Sequence, residues 1–401
     1  MRAMVDLGNE PRVLGEKARP VLRNGLLAAG VGFVAALALG ALSGQGWRGF
    51  FFAYLHAWAF FASIALGALF FVMLQHLTNA GWSVVVRRLA EALASTLPLL
   101  AVLFVPIVAG VGDLYHWSHA EEVAADPLLQ WKSGYLNVPF FLVRCVVYLG
   151  VWAGLARFFV GRSLAQDATG DVAHTLAMRR WAAPGMFLFA FTVTFATFDL
   201  LMSLDPHWYS TMLGVYYFAG AAVGFFATLI VFAYLVQRAG LLRHAITREH
   251  YHDLGKLLFA FTVFWAYISF SQFMLMWYAN IPEETLFYLH RQEHGWGWLG
   301  LALVFGHFLL PFLVLLSRGP KRRKGALAAA AGWLLIMHWL DLYWFIIPVQ
   351  SEHAALNWAS LALAVGFAGA LVASMLHRVR TTSLVPEKDP RLTESLTFEN
   401  A

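Results

Sequence analysis

Two carboxylates, Asp199 and Asp341, lie inside long apolar runs, and each is followed seven residues later by a proline, Pro206 or Pro348. A charged side chain at the centre of a membrane span costs about 2.5–3.5 kcal/mol on insertion scales, so it normally faces a bundle interior and has a partner. Asp199 shares a helix face with Thr192 and Ser203, and Arg144 shares one with Asn137 and Tyr148. Arg144 and Asp199 fall at matching depth on neighbouring runs. They suit either an ion pair tying two helices or one part of a proton path. His338 stands three residues before Asp341. That spacing puts both on one face, able to bond the same guest or water. A histidine titrating near neutrality beside a carboxylate suits proton transfer, while the plainer reading is a satisfied polar pair between helices.

Other polar residues extend the pattern. Asp205 and His207 follow directly after the Asp199 run, with Pro206 ending the helix. Ser269, Ser271 and Gln272 sit at mid-depth in another run, where hydroxyls and amides commonly bind helix to helix. His56 and His307 lie inside two more, each open to an ordinary interhelical hydrogen bond. Glu91, His76 and Lys256 stand at the opposite ends of their runs, where long side chains reach the interface. They are expected to be interfacial, with the mouth of an inner half-channel as the sharper alternative. The candidate proton path is thus Asp199, Ser203, Asp205, His207, Ser269, Gln272, His338, Asp341, His56 and Arg144, with Glu91, His76 and Lys256 at its inner mouth.

The elements that position these groups are membrane spans. The 401 residues are 60% hydrophobic and 13% charged, about half the charged fraction of a typical soluble domain. Ten apolar segments are readable: 24–43, 50–75, 89–110, 137–160, 182–203, 209–237, 256–278, 296–317, 325–348 and 356–377. Each is long enough to cross a bilayer. Of the 28 Lys/Arg, 23 fall in the tails and alternate loops on one side, and three, Arg48, Lys132 and Arg291, in the opposite loops. The positive-inside rule then predicts both termini in the cytoplasm. The net charge of +5 reflects this orientation, so no nucleic-acid partner is expected. Residues 1–23 carry no compact signal-peptide layout, and the first segment reads as a retained span. The single cysteine, Cys145, excludes an internal disulfide, a cysteine-ligated iron–sulfur cluster and a Cys-rich zinc site.

The matching Asp…Pro spacing suggests an internal repeat. Spans 2–5 (50–203) and spans 6–9 (209–348) would form two four-helix bundles within a membrane domain of 24–380, with spans 1 and 10 peripheral. The loops 111–136 and 279–295, acidic and aromatic, read as docking or lid elements. The polar tail from 381 is expected along a partner or free in solution. The expected fold is all-α and polytopic.

Three stretches resemble a known family. Ser203–Tyr216 (SLDPHWYSTMLGVY), His252–Phe261 (HDLGKLLFAF) and Trp265–Glu284 (WAYISFSQFMLMWYANIPEE) look like the F component of bacterial alternative complex III. The resemblance extends over nearly the whole chain. More distantly, His338–Pro348 is similar to the penultimate-helix motif of the polysulfide-reductase membrane subunit family, departing from it at Asp341-Leu342, where many relatives carry Glu-Arg. The resemblance implies a multi-pass protein of the bacterial inner membrane, part of a complex that oxidises menaquinol or ubiquinol. Electrons there pass through an iron–sulfur subunit and c-type cytochrome subunits, beside a quinol-binding membrane subunit. It also implies a proton path, no covalent or metal-ligated cofactor in this chain, and a quinone or quinol as the candidate guest.

Two other classes compete with this one. A cytochrome b-like protein, or the anchor of a molybdoenzyme-type reductase, would hold haem between histidines at matching depth on facing helices, and His56, His307 and His338 do not pair convincingly by depth. A secondary transporter would show helices broken at the midplane of both halves, whereas the shared prolines here lie at helix ends.

Overall fold

A computed structural model describes residues 10–42 and 46–400. Among these, ten helices are long and apolar enough to cross a membrane: span 1 Gly15–Leu42, span 2 Gly46–Leu77, span 3 Val84–Ala109, span 4 Val138–Thr169, span 5 Ala173–Leu204, span 6 Leu213–Arg238, span 7 Arg248–Ala279, span 8 Trp296–Leu316, span 9 Lys324–Val349 and span 10 Trp358–Val379. The protein is an all-α, multi-pass membrane protein. Several helices run past the apolar limits read from sequence at the end carrying the basic loops. Span 7 starts at a capping box in which Thr247 and His250 satisfy each other's end of the first turn, and span 4 starts at Asn137, whose side chain accepts from Phe140 N at 3.0 Å.

Spans 2 to 5 contact one another in a ring, 2 on 3, 3 on 4, 4 on 5 and 5 on 2, and spans 6 to 9 repeat the same order of neighbours. Spans 2 and 6 join the two rings. They are the most enclosed, with 83% and 72% of their most apolar stretch buried against 22% for span 1. Spans 1 and 10 pack mainly on each other. Small residues allow that seam: a Cβ on Gly32 would lie 2.4 Å from the amide nitrogen of Gly366, so the two backbones touch directly.

Span 3 is broken where Pro98 and Pro106 remove amide donors. Two side chains of span 2 meet carbonyls there, Trp58 Nε1 donating to Leu100 O at 2.9 Å and Tyr54 Oη to Leu103 O at 2.8 Å. Span 8 is distorted too. Pro311 cannot donate to the carbonyl four residues earlier, and residues Val304–Leu309 form a π-helical turn that carries His307. Such turns recur at functional sites.

At the acidic end, the loop after span 3 caps span 5. Tyr115 Oη donates to Leu200 O and Trp117 Nε1 to Ser203 O, both at 3.1 Å. A short helix, Pro282–His290, covers the second bundle, with Phe287 stacked on Trp208 at 4.0 Å. At the basic end the tail is packed and not free. It folds onto the chain's own surface, burying Leu384 and Val385 completely, and Leu384 N donates to Arg12 O at 2.8 Å.

Candidate functional site

Asp199 and Asp341 occupy corresponding helices of the two bundles, and their surroundings differ in kind. Asp199 is fully buried. Arg144 reaches it from span 4 in bidentate fashion, Nε to Oδ2 at 2.7 Å and Nη2 to Oδ1 at 2.9 Å, and Tyr148 Oη donates to Oδ2 at 2.7 Å. The guanidinium lies over the rings of Tyr135 and Phe140, 3.8 and 4.4 Å from their centroids. Ser203, placed on the same path by sequence, donates its hydroxyl hydrogen to Asp199 O at 2.5 Å and so serves the helix end.

Asp341 is equally buried, but its partners are neutral. Tyr216 Oη of span 6 donates to Oδ1, and Trp265 Nε1 of span 7 donates to Oδ2 at 3.0 Å. No lysine or arginine pairs with it among the described residues. The Trp265 ring in turn stacks on His307, centroids 3.8 Å apart. Both His307 ring nitrogens lack a hydrogen-bond partner among the described residues.

His338 also bonds across the bundle interface. It faces span 2, with Nε2 2.8 Å from Ser63 Oγ. The Ser63 hydroxyl hydrogen is directed at Phe60 O, 2.7 Å away, so the imidazole Nε2 carries the proton and donates. Gly220 and Gly224 of span 6 make the room: a Cβ on either would lie 2.9 or 2.7 Å from the imidazole. The same Cβ on Gly220 would lie 3.8 Å from Asp341 Oδ2, so His338 and Asp341 both face that point of span 6. His307 comes nearer than depth alone indicated, its ring centroid 6.4 Å from that of His338. His56 donates from Nε2 to Trp339 O at 3.0 Å, an interhelical bond.

A cavity of about 820 Å³ opens beside Asp341 between spans 7 and 8, within the range of small-molecule sites. Its polar wall holds Ser269 and Gln272. Gln272 accepts from Ser210 Oγ at 3.0 Å and donates to Tyr288 Oη at 3.3 Å. A second cavity of about 770 Å³ lies at the acidic end and is lined by Asp205, His207, Asp126 and Glu352. His207 Nε2 is 2.6 Å from Asp126 Oδ2. What little water Asp126 loses would raise its carboxyl, but the Leu128 and Leu129 amides and the His207 ring outweigh this and hold it below the usual range.

Arg291 lines both cavities. It is buried, and its guanidinium donates to three carbonyls, Phe345 O at 2.7 Å, Phe287 O at 2.9 Å and Trp344 O at 3.2 Å. Burial pushes it down to about 9, with Asp205 acting in the opposite sense. Sequence reasoning placed Arg291 only as a loop charge. Its spacing of four from Phe287, over whose ring it lies at 3.5 Å, was the available signal.

At the basic end Glu91 is enclosed by protein. It is fully buried between Arg87 at 3.2 Å and Arg88 at 3.0 Å, and those arginines also hold Asp389 at 2.5 Å and Asp167 at 2.6 Å. His76 is buried as well. Lys256 does stay near water, bonded to Asp253 and, at 2.8 Å, to Asn400 Oδ1. The site residues thus divide into an ion pair in the first bundle, a neutral-donor carboxylate beside a cavity in the second, an acidic-end vestibule and a basic-end ion network. Among the described residues no group of three or more His, Cys, Asp or Glu is arranged to hold a metal ion.

Fold and site together define the class: an integral membrane protein of two packed four-helix bundles with a buried carboxylate in each. No protein-family model matches the chain, and no curated protein matches it.

Proposed function

We propose that this chain is a membrane component of a respiratory quinol-oxidising complex of the alternative complex III kind, and that it carries protons and holds no redox centre of its own. The observation that bears most on this reading is Asp341, a buried carboxylate held by a phenol and an indole and by no cation among the described residues. A carboxylate in a bidentate arginine pair cannot take up a proton without breaking that pair, whereas one among neutral donors can accept and return a proton with no ion pair to break. Asp199 then serves as a structural anchor, and Asp341 as the proton-exchanging group. The vestibule with Asp205 and His207 is the exit.

On this reading the chain resides in the bacterial inner membrane, with the basic end and both termini in the cytoplasm. Its partners are the quinol-binding membrane subunit, the iron–sulfur subunit, the c-type cytochrome subunits and lipids.

The test is proton release in liposomes measured alongside quinol turnover. Asp341→Asn keeps size and most hydrogen bonding but cannot take up a proton. It should leave the complex assembled and able to oxidise quinol while protons released per electron fall. An unchanged ratio would give Asp341 a structural role only.

A further inference from the structure

We infer that the groove between spans 4 and 10 at the basic end is a binding site for an anionic phospholipid, its phosphate met by Arg157 and Arg378 and an acyl chain laid along span 4. The inference requires only that the chain crosses a membrane, and it is independent of any place in a quinol-oxidising complex.

The groove arises from how three spans pack. Span 3 packs on span 4 and on span 10, while spans 4 and 10 make no comparable contact with each other. The gap holds adjoining cavities of about 250 and 150 Å³ that share Ser95, Val160, Leu164 and Arg378. Arg157 and Gly161 line the larger. Both arginines, Gly161 and Leu164 are exposed, so the groove opens sideways toward lipid. A Cβ on Gly161 would meet nothing within 4 Å.

Depth matches a phosphate. At 1.5 Å per residue, Arg157 lies about 28 Å along span 4 from Val138, and Arg378 about 30 Å along span 10 from Trp358. The hydrocarbon core is about 30 Å thick. Two spans that both start at the acidic face therefore bring their arginines to the opposite headgroup layer together. Trp358, 64% exposed, marks the starting interface of span 10.

Charge selects the occupant. Neither Arg157 nor Arg378 has a hydrogen bond or ion pair among the described residues. Arg87 and Arg88, further in, are taken up by Glu91, Asp389 and Asp167. Glu91 is the one carboxylate in either wall, and it is fully buried against those two arginines. The mouth is thus left with two uncompensated guanidinium groups, whose planar forks suit phosphate oxygens. Basic pockets between spans at the cytoplasmic side hold anionic headgroups in this way. A zwitterionic headgroup would bring its own cation against the arginines. A soluble anion would leave the apolar floor at Val160 and Leu164 uncovered.

The test uses the protein extracted from native membranes in mild detergent with its partners in place. The probe is a phosphatidylglycerol carrying a diazirine near the head of one acyl chain, activated by light and mapped by peptide mass spectrometry. Label should appear in 92–98 and 156–164. Unmodified phosphatidylglycerol should compete for it, and phosphatidylcholine, oleate and inorganic phosphate should compete weakly. In Arg157→Gln with Arg378→Gln the label should fall by about tenfold or more, equivalent to about 1.4 kcal/mol of binding. Those changes remove no polar contact within the described chain, so the fold should persist. Gly161→Trp keeps both charges and fills the groove, and it should lower the label as well. It decides the matter if the double variant does not assemble. Label that avoids both stretches, yields equally to phosphatidylcholine or oleate, is displaced by inorganic phosphate, or persists undiminished in the assembled variants would overturn the site.

Discussion

Arg144 holds Asp199 by two parallel contacts of 2.7 and 2.9 Å across the interface of spans 4 and 5. Fork-to-fork geometry of this kind is strong and directional. Both groups are enclosed, with side-chain exposures of 10% and 0%, so neither can turn to water if the other is removed. Arg144→Leu alone should destabilise the protein by about 3–5 kcal/mol, while Arg144→Leu with Asp199→Leu should recover most of that loss. Thermal unfolding in detergent, followed by retention of the assembled complex, measures both. Equal losses in the single and double variants would show that the pair adds nothing beyond packing.

The basic-end network makes a second expectation. Asp389 of the tail is 2.5 Å from Arg87 Nη2, and without it Arg87 would keep only Glu91, which Arg88 shares. Asp389→Ala should leave Arg87 under-compensated and cost about 3–5 kcal/mol as an upper bound for a broken buried pair. The tail should also loosen. Limited trypsin digestion should cut after Lys388 and Arg391 faster in the variant than in the wild type, and equal rates would mean that the apolar anchors Leu384 and Val385 hold the tail without the ion pair.

The acidic end should respond to pH through Asp126. Its carboxyl is depressed by the Leu128 and Leu129 amides and the His207 ring. A depressed carboxylate contributes stability above its ordinary value of about 3.9 and loses it as pH falls through the lower folded value. Hydrogen-exchange protection in 115–136, corrected for intrinsic rates, should therefore be full near neutrality and fall at strongly acidic pH. Asp126→Ala should show reduced protection at neutral pH and little further loss on acidification.

Orientation is testable with one thiol. The acidic loops face outward on the proposed topology, and Ala124 lies on an exposed stretch of the acidic-end loop. Ala124→Cys, with Cys145→Ala to remove the buried native thiol, should react with an impermeant maleimide in intact cells. Reaction only after lysis would invert the topology.

The ten spans were legible because each apolar run is long and poor in charge. The Arg144–Asp199 register was legible for a related reason: two continuous helices entering from opposite sides fix depth by residue count. What stayed hidden depended on contacts between distant segments. The helical extensions beyond the apolar runs carry residues such as Arg248 and Glu249, which hydropathy counts as loop. The burial of Glu91 follows from Asp389 and Asp167, 298 and 76 residues away in the chain. The π turn at Val304–Leu309 had a cue in Pro311, but a proline alone does not distinguish a kink from a π turn. His338 fills a space that Gly220 and Gly224 open on span 6, a fact about the neighbouring helix and not about the His338–Asp341 spacing.

The glycine seam between spans 1 and 10 bears on how the protein is made. Span 1 emerges from the ribosome before spans 2 to 10, yet its chief packing partner, met at Gly32 and Gly366, is span 10. The first helix therefore waits in the lipid, or against the insertion machinery, while the other spans are threaded. A bulky residue at Gly32 would strike only at closure, after both bundles exist, so its product would be a fully inserted chain left with an unlatched first helix open to degradation.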